Sequence, residues 1–210
     1  MAQVGGYAST RFNDVYVSAA IAGAWYDVRT DRTLFVAGID RLRADFDAHS
    51  FGARLEGGRR FGFGSIGLTP YAAVQVQSVS TPSYGEVALA GSNQFALNYQ
   101  HQTTTDTRTE LGAWADTRAL LQNGASVTLR GRVAWVHDFD PDRRIGAIFQ
   151  TLPGAAFTVN GAAAAEDAAL VSAAAEVRLA NGVTLIGKLD GEFASGVQTY
   201  AGTGTIRYAW

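Results

Sequence analysis

The chain holds no cysteine among its 210 residues, which excludes disulfide staples and thiolate metal sites. Proline is scarce, at 4 residues. Charge is thin as well: Asp, Glu, Lys and Arg make up 17% of the chain, against roughly 25% in a soluble protein. The apolar residues, 47% of the total, never gather into the run of about 20 that a membrane-spanning helix needs, and mean hydropathy stays at +0.01. A basic excess is missing too. The net charge is −2 and the pI about 5.9, so nucleic acid, which calls for a basic patch, is not an expected partner. Neither a G-x-S-x-G elbow nor an H-E-x-x-H pair occurs, and the three histidines, His49, His101 and His137, lie far apart along the chain. No catalytic, cofactor-binding or metal-ligating residue is predicted. Met1-Ala2-Gln3-Val4 runs directly into a strand-like segment, so for an exported protein the secretory signal is expected upstream.

What the chain does have is alternation. The last residues, Tyr200 to Trp210, put Tyr200, Ile206, Tyr208 and Trp210 on one face of a strand and Thr203, Thr205 and Arg207 on the other. A long terminal strand closing on an aromatic suits a lipid–water interface. Period-2 segments recur at roughly 2–11, 14–29, 46–62, 67–80, 103–119, 125–140, 168–180, 183–195 and 199–210, about nine strands, many long enough to cross a bilayer at a tilt. Glycine, at 24 residues, suits bent and closely packed strands.

The connections alternate in length. Short turns are expected at 11–14, 62–67, 122–124 and 180–182; Asn123-Gly124 and Asn181-Gly182 predict type I′ geometry, with φ positive at both central residues. Longer polar or small-residue loops are expected at 30–45, 81–102 and 141–167, with a brief one at 196–199. Short turns on one side and long loops on the other is the pattern of an outer-membrane barrel. The faces agree. Val127, Leu129, Val133, Trp135 and Phe139 oppose Thr128, Arg130, Arg132 and Asp138. Val183, Leu185, Leu189 and Phe193 oppose Lys188, Asp190 and Glu192. Phe51, Ala53 and Leu55 oppose Arg54, Glu56 and Arg60. A soluble sandwich alternates too; strand length, loop asymmetry and the terminal aromatic decide for a barrel. Its apolar face then meets lipid, and Arg54, Glu56, Glu110, Arg130, Arg132, Lys188, Asp190 and Glu192 line the lumen, because an Arg or Lys turned to lipid near mid-bilayer costs roughly 2–4 kcal/mol.

Three stretches admit other readings. Gly62-Phe63-Gly64-Ser65-Ile66-Gly67 fits G-x-G-x-x-G, yet a strand-like LTPYAAVQV follows, where a dinucleotide site needs a helix; a turn is expected. Asp138, Asp140 and Asp142 supply the oxygen ligands of a Ca²⁺ loop but lack its glycine and terminal glutamate; a strand end entering a solvated loop is expected. The alanine-rich run after Gly161 favours a helix by propensity, whereas Val171, Ala173, Ala175, Val177 and Leu179 alternate with Ser172, Glu176 and Arg178; a strand is predicted.

Taken together, AGAWYDVRTDR (22–32), DRLRADFDAHSFGARLEGGRRF (40–61), LTPYAAVQVQS (68–78), TRTELGAWAD (107–116), LRGRVAWVHDF (129–139), FTVNGAA (157–163), VRLANG (177–182), DGEFAS (190–195) and TYAGTGTIRYAW (199–210) resemble the C-terminal translocator β-barrel of bacterial autotransporters, the type V secretion proteins. The resemblance covers essentially residues 1–210 as one partial β-domain. It implies an all-β, antiparallel, up-and-down transmembrane barrel of usually about twelve strands, of which about nine are read here, with the leading strands, a pore helix and the passenger absent and the sheet open or incompletely closed. It implies a location in the bacterial outer membrane and a non-enzymatic role: anchoring an N-terminal passenger and helping to export it to the cell surface. Implied partners are outer-membrane lipid, the barrel-assembly machinery, periplasmic chaperones and the covalently linked passenger. The family's terminal insertion signal matches at Ile206, Tyr208 and Trp210, with Thr203 as its polar position and Thr205, beside Gly204, where glycine is usual. The alternatives are a porin-like or surface-binding barrel without a passenger, or a barrel-embedded enzyme with a Ser/His/Asp cluster.

Overall fold

The computed structural model describes residues 1–36, 38–140, 144–161 and 165–208. It contains β1 (Ala2–Phe12), β2 (Val15–Leu34), β3 (Asp40–Arg59), β4 (Phe61–Phe63), β5 (Ile66–Thr81), β6 (Tyr84–Gly85), β7 (Val87–Ala90) and β8 (Leu97–Tyr99). There follow β9 (Gln102–Leu120), β10 (Ser126–Asp138), β11 (Arg144–Phe149), β12 (Leu152–Asn160), β13 (Asp167–Arg178), β14 (Val183–Ala194) and β15 (Val197–Tyr208). The main sheet is antiparallel and runs β1-β2-β3-β5-β9-β10-β13-β14-β15, with β4 beside β5 and β7 beside β3. These nine long strands fall on the nine predicted segments. The alanine-rich run is indeed a strand: β13 is paired along its length to β10 on one side and β14 on the other, and this two-sided pairing overrides alanine's helix propensity. Among the described residues β1 pairs only with β2 and β15 only with β14, so the sheet is a curled, half-barrel arc with two free edges.

The four predicted short turns lie at one end of the sheet: Phe12 pairs with Val15, Val15 with Arg59, Phe63 with Ile66, Leu120 with Ser126, Ser126 with Arg178, and Val183 with Tyr208. The tight β14–β15 turn, closed by Ala194 and Val197, lies at the other end. The two Asn-Gly turns differ from the type I′ expectation. Only the glycines have positive φ, 78° at Gly124 and 87° at Gly182. Gly124 N–H bonds Leu121 C=O at 3.0 Å and Leu121 N–H bonds Ala125 C=O at 2.8 Å, and Leu179, Gly182 and Val183 repeat the pattern. This is a type I turn closed by a left-handed glycine. The asparagine stays in ordinary backbone space because its Oδ1 accepts the N–H two residues on, from Ala125 at 3.1 Å and Val183 at 3.2 Å.

The opposite end is more ordered than the sequence predicts. Most of 30–45 is strand: β2 and β3 remain paired out to Leu34 and Asp40, while β5 leaves β3 at His49. Beyond that point the hairpin stands clear of the main sheet's path, paired among the described residues with β7 on that side. Alternating charge hides this from a hydropathy pattern, since Arg29–Asp45 (2.6 Å) and Arg43–Asp31 (2.8 Å) pair across the two strands. The expected loops 81–102 and 141–167 also contain strands, which form a second sheet, β12-β11-β8-β6. It caps the hairpin. Phe46 stacks on Tyr84 at 3.9 Å and Tyr84 on Tyr99 at 4.6 Å between centroids. Leu42, Ala44, Ala96, Leu97 and Ala147 are buried there. Arg32 Nε donates to buried Glu86 Oε1 at 2.9 Å, and Glu86 also accepts the N–H of Leu97 at 2.9 Å.

Candidate functional site

Register fixes which side chains share a face. Residues directly opposite in a ladder point the same way, and the pairs Arg54↔Gln75, Ala73↔Glu110, Glu110↔Val136, Arg132↔Ser172 and Ser172↔Asp190 carry one face across β3, β5, β9, β10, β13 and β14. Arg54, Glu56, Glu110, Arg130, Arg132, Lys188, Asp190 and Glu192 all belong to it by parity. So do nearly all the buried side chains of the main sheet, among them Tyr71, Ala73, Ala134, Val136 and Ser172. That face is concave: Arg108 on β9 and Glu192 on β14 are three strand spacings apart, about 14 Å on a flat sheet, yet Arg108 Nη2 donates to Glu192 Oε1 at 2.8 Å.

Glu110 is the centre of the polar network, with 5% exposure. It accepts from Arg132 Nη1 at 2.9 Å and from the Tyr71 hydroxyl, and its second oxygen lies 2.9 Å from Arg54 Nη2. Arg54 also reaches Glu56 Oε2 at 2.7 Å, and Glu56 accepts the Tyr16 hydroxyl at 2.7 Å. One continuous network thus ties β2, β3, β5, β9 and β10. On the far side Ser172 donates to Asp190 at 2.6 Å, and Lys188 pairs with Asp190 at 2.9 Å. Arg130 takes no part in these ion pairs; its guanidinium lies over the Trp114 ring at 5.4 Å, with that of Arg132 at 5.2 Å.

Two glycines make room for the network's rings. A Cβ on Gly58 would sit 2.6 Å from Tyr16 Cε1 and 2.9 Å from Tyr71 Cβ; one on Gly112 would sit 2.9 Å from Tyr71 Cε1 and 2.6 Å from Ala134 Cβ. Sequence reasoning named the charged members but not Tyr16, Tyr71, Trp114 and Arg108 as their partners. The signal was present for Tyr71, which shares a period-2 row with Ala73, Gln75 and Gln77.

The other face carries the large apolar side chains, and they are exposed: Leu129 50%, Val133 64%, Leu189 67% and Ile206 79%. Leu185, Phe193 and Tyr208 are exposed as well, and Val127 is half-buried. Aromatics cluster on this face toward the loop end. Trp135 stacks on His137, which meets Phe139 edge-on, and Phe193 meets Tyr200 edge-on. Asp167 Oδ1 accepts from Trp135 Nε1 at 3.0 Å and lies 3.0 Å from His137 Nδ1. Trp210 and Asp142 lie outside the described residues.

Among the described residues no group of three or more His, Asp or Glu side chains is placed to hold a metal ion. The segment after Gly62–Gly67 is strand β5, not the helix a pyrophosphate site requires. Asp138 is buried and pairs with Arg108.

Comparisons with known proteins agree with this geometry. A curated relative, "Extracellular serine protease" from Serratia marcescens, is 24% identical over 196 residues, 93% of this chain. The chain spans only 18% of that protein's length. The family model "Autotransporter beta-domain" matches residues 1–190, a family of outer-membrane translocators rather than catalysts, and the chain belongs to it.

Proposed function

We propose that this chain is the membrane-embedded part of an outer-membrane translocator, which anchors a covalently linked passenger and helps to carry it to the cell surface without catalysing a reaction itself. One observation carries the reading: along the nine long strands most of the exposed aliphatic side chains lie on the convex face, and the ion-pair network centred on Glu110 lies on the concave one. Only a sheet with lipid outside and a polar interior gains from that division. Arg54, Glu56, Glu110, Arg130, Arg132, Lys188, Asp190 and Glu192 then line the lumen. The turn end faces the periplasm, and the β2–β3 hairpin with its cap sheet stands outside the cell. Ile206, Tyr208 and Trp210 form the terminal element read by the barrel-assembly machinery, to which periplasmic chaperones deliver the chain.

The free edges support further strands in the parent protein. β1 and β15 are first and ninth in a strictly alternating path, so they run in the same direction. An all-antiparallel barrel cannot join them directly; it closes only if an odd number of strands intervenes. About three, the number that completes the family's usual ring, satisfies this.

Cysteine labelling of whole cells tests the orientation. With the chain joined to its upstream polypeptide, an impermeant thiol reagent is expected to label Asn93→Cys and to spare Asn123→Cys until the outer membrane is permeabilised. Equal labelling of both in intact cells refutes the reading.

A further inference from the structure

The cap sheet is built from two connections that leave the main sheet at different places. In the first, between β5 and β9, the chain parts from β3 after Ser80 and pairs with it again at Val87. The stretch between holds β6, which pairs with β8 and bulges to the concave side of the hairpin. Parity shows this. Phe46, on which Tyr84 stacks, and buried Leu42 and Ala44 lie on the same side of β3 as Arg54 and Glu56, in an unbroken register. Arg32, which donates to Glu86 and to Phe95 C=O at 2.9 Å, lies on the same side of β2 as Tyr16. Sheets packed face to face stand about 10 Å apart, so the cap projects about that far inward from the hairpin. A ring of about twelve strands is narrower than the roughly 16–18 that leave an open channel, and an intrusion of this size covers much of its mouth.

The second connection, between β10 and β13, supplies the hairpin of β11 and β12. It joins the first through a short ladder, in which Ala147, Ile148 and Phe149 face Tyr99, Asn98 and Leu97. Gln150 fastens the end of that ladder. Its backbone N–H donates to Ala96 C=O at 2.9 Å, and its Nε2 donates to Glu86 C=O at 2.8 Å and Leu97 C=O at 3.3 Å. Thr151 Oγ1 donates to Gln94 C=O at 2.9 Å. At the other end of β11, Gln102 Nε2 donates to Arg144 C=O, and Gln102 lies on the same side of β9 as Glu110. β11 thus meets the concave side of β9 at one end and the first connection at the other. It buries one side chain, Ala147, and β12 buries none. A two-stranded unit with so little buried surface is marginal by itself and opens more readily than the sheet it rests on.

We propose that the β11–β12 hairpin is a flap that shuts the outer mouth of the lumen, latched to β8 by Gln150, and that the lumen opens outward when β11 parts from β8 while β6 and β8 stay on the β2–β3 hairpin. The inference rests on the translocator reading above, which sets this end of the sheet outside the cell. The test uses whole cells that make the chain with its upstream polypeptide, and measures the rate at which an impermeant thiol reagent reacts. Gln77→Cys places a thiol on the concave face below the cap, at an exposed position opposite Asp106. With the flap latched it is expected to react slowly. Gln150→Ala removes both side-chain bonds of the latch and is expected to speed that reaction about tenfold, the effect of losing neutral hydrogen bonds. Replacing residues 144–160 with a Gly-Ser linker is expected to speed it at least as much. Asn93→Cys, exposed on the first connection, stays fast in every variant. A Gln77→Cys rate equal to that of Asn93→Cys with the flap intact, or a rate that neither change moves, overturns the proposal. Fast Asn93→Cys with an indifferent Gln77→Cys sinks the flap alone; Asn93→Cys shielded in intact cells sinks the orientation and the flap with it.

Discussion

Replacing Glu110 removes the one carboxylate that Arg54, Arg132 and Tyr71 share. The consequences differ for each partner. Arg54 keeps Glu56 at 2.7 Å, so its charge remains compensated. Arg132 has Glu110 as its hydrogen-bonded carboxylate and is left with the face of Trp114, while its Nε already lacks a partner. Glu110→Ala therefore leaves one mostly buried guanidinium without a hydrogen-bonded anion, together with a phenol without its acceptor. Breaking a buried pair from one side costs about 3–5 kcal/mol; because the open arc admits water near Arg54, the lower limit applies, about 3 kcal/mol, or roughly a hundredfold in the folding equilibrium. Glu110→Gln strands the same guanidinium but keeps the shape and an amide oxygen that can still accept from Tyr71 or Arg132, so most of the loss is expected to remain, smaller by about 1 kcal/mol for the retained hydrogen bond. Urea unfolding of the barrel in lipid vesicles, with its upstream strands present and followed by tryptophan fluorescence, measures both. Trp114 lies in the network and reports on it directly. A Glu110→Gln variant as stable as the unchanged protein would refute the argument, since the deciding quantity would then be side-chain volume and not the stranded charge. So would a loss below about 1 kcal/mol for Glu110→Ala, which would mean that the pairs behave as solvated surface contacts.

Three other outcomes follow from the same geometry. Gly112→Val places a Cβ 2.6 Å from Ala134 Cβ and 2.7 Å from the Val133 carbonyl; overpacking of this kind costs about 1–3 kcal/mol, so the fraction of heat-modifiable, folded protein on a detergent gel drops, whereas Gly62→Val, with open space around its Cβ position, leaves it unchanged. Leu129→Arg, on the exposed apolar face, costs roughly 2–4 kcal/mol if that face meets mid-bilayer lipid and lowers assembly in the membrane, while Arg130→Leu, one residue away on the concave face, does not; similar effects of the two would contradict the assignment of faces. In the cap sheet, burial raises the Tyr84 phenol above its ordinary value, as does the nearby Tyr99; burial and Glu86 raise Tyr99. A phenol whose folded pKa is raised gives stability that is whole below about pH 10 and is lost as pH climbs through the folded value. Protease cleavage within residues 84–99 is therefore expected to accelerate only on the alkaline side, and Tyr84→Phe to flatten that rise; acceleration in acid alone would count against it.

The extent of what the sequence disclosed follows from the range of the interactions involved. Strand positions were legible because period 2 is local: Val171, Ala173, Ala175 and Val177 alternate whatever lies beside them, and this located β13 against alanine's helical preference. Face membership was legible for the same reason, since Arg130 and Arg132 share a parity that register then extends to Ser172 and Asp190. The β2–β3 hairpin beyond residue 30 was missed because its pattern is charge against opposite charge, Arg29 with Asp45 and Asp31 with Arg43, and hydropathy does not distinguish that from a loop. The cap was missed because its strands are two to nine residues long and gain stability only from a distant hairpin, through Phe46 on Tyr84 and Arg32 on Glu86. Which charges meet was least legible of all. Arg108 and Glu192 are 84 residues apart, and what joins them is curvature, a property of the whole sheet. The sequence places carboxylates and guanidiniums on one side; the closing of the arc decides that Asp138 on β10 and Glu192 on β14 both meet Arg108. What curvature assembles is therefore the part of this protein least visible in its sequence.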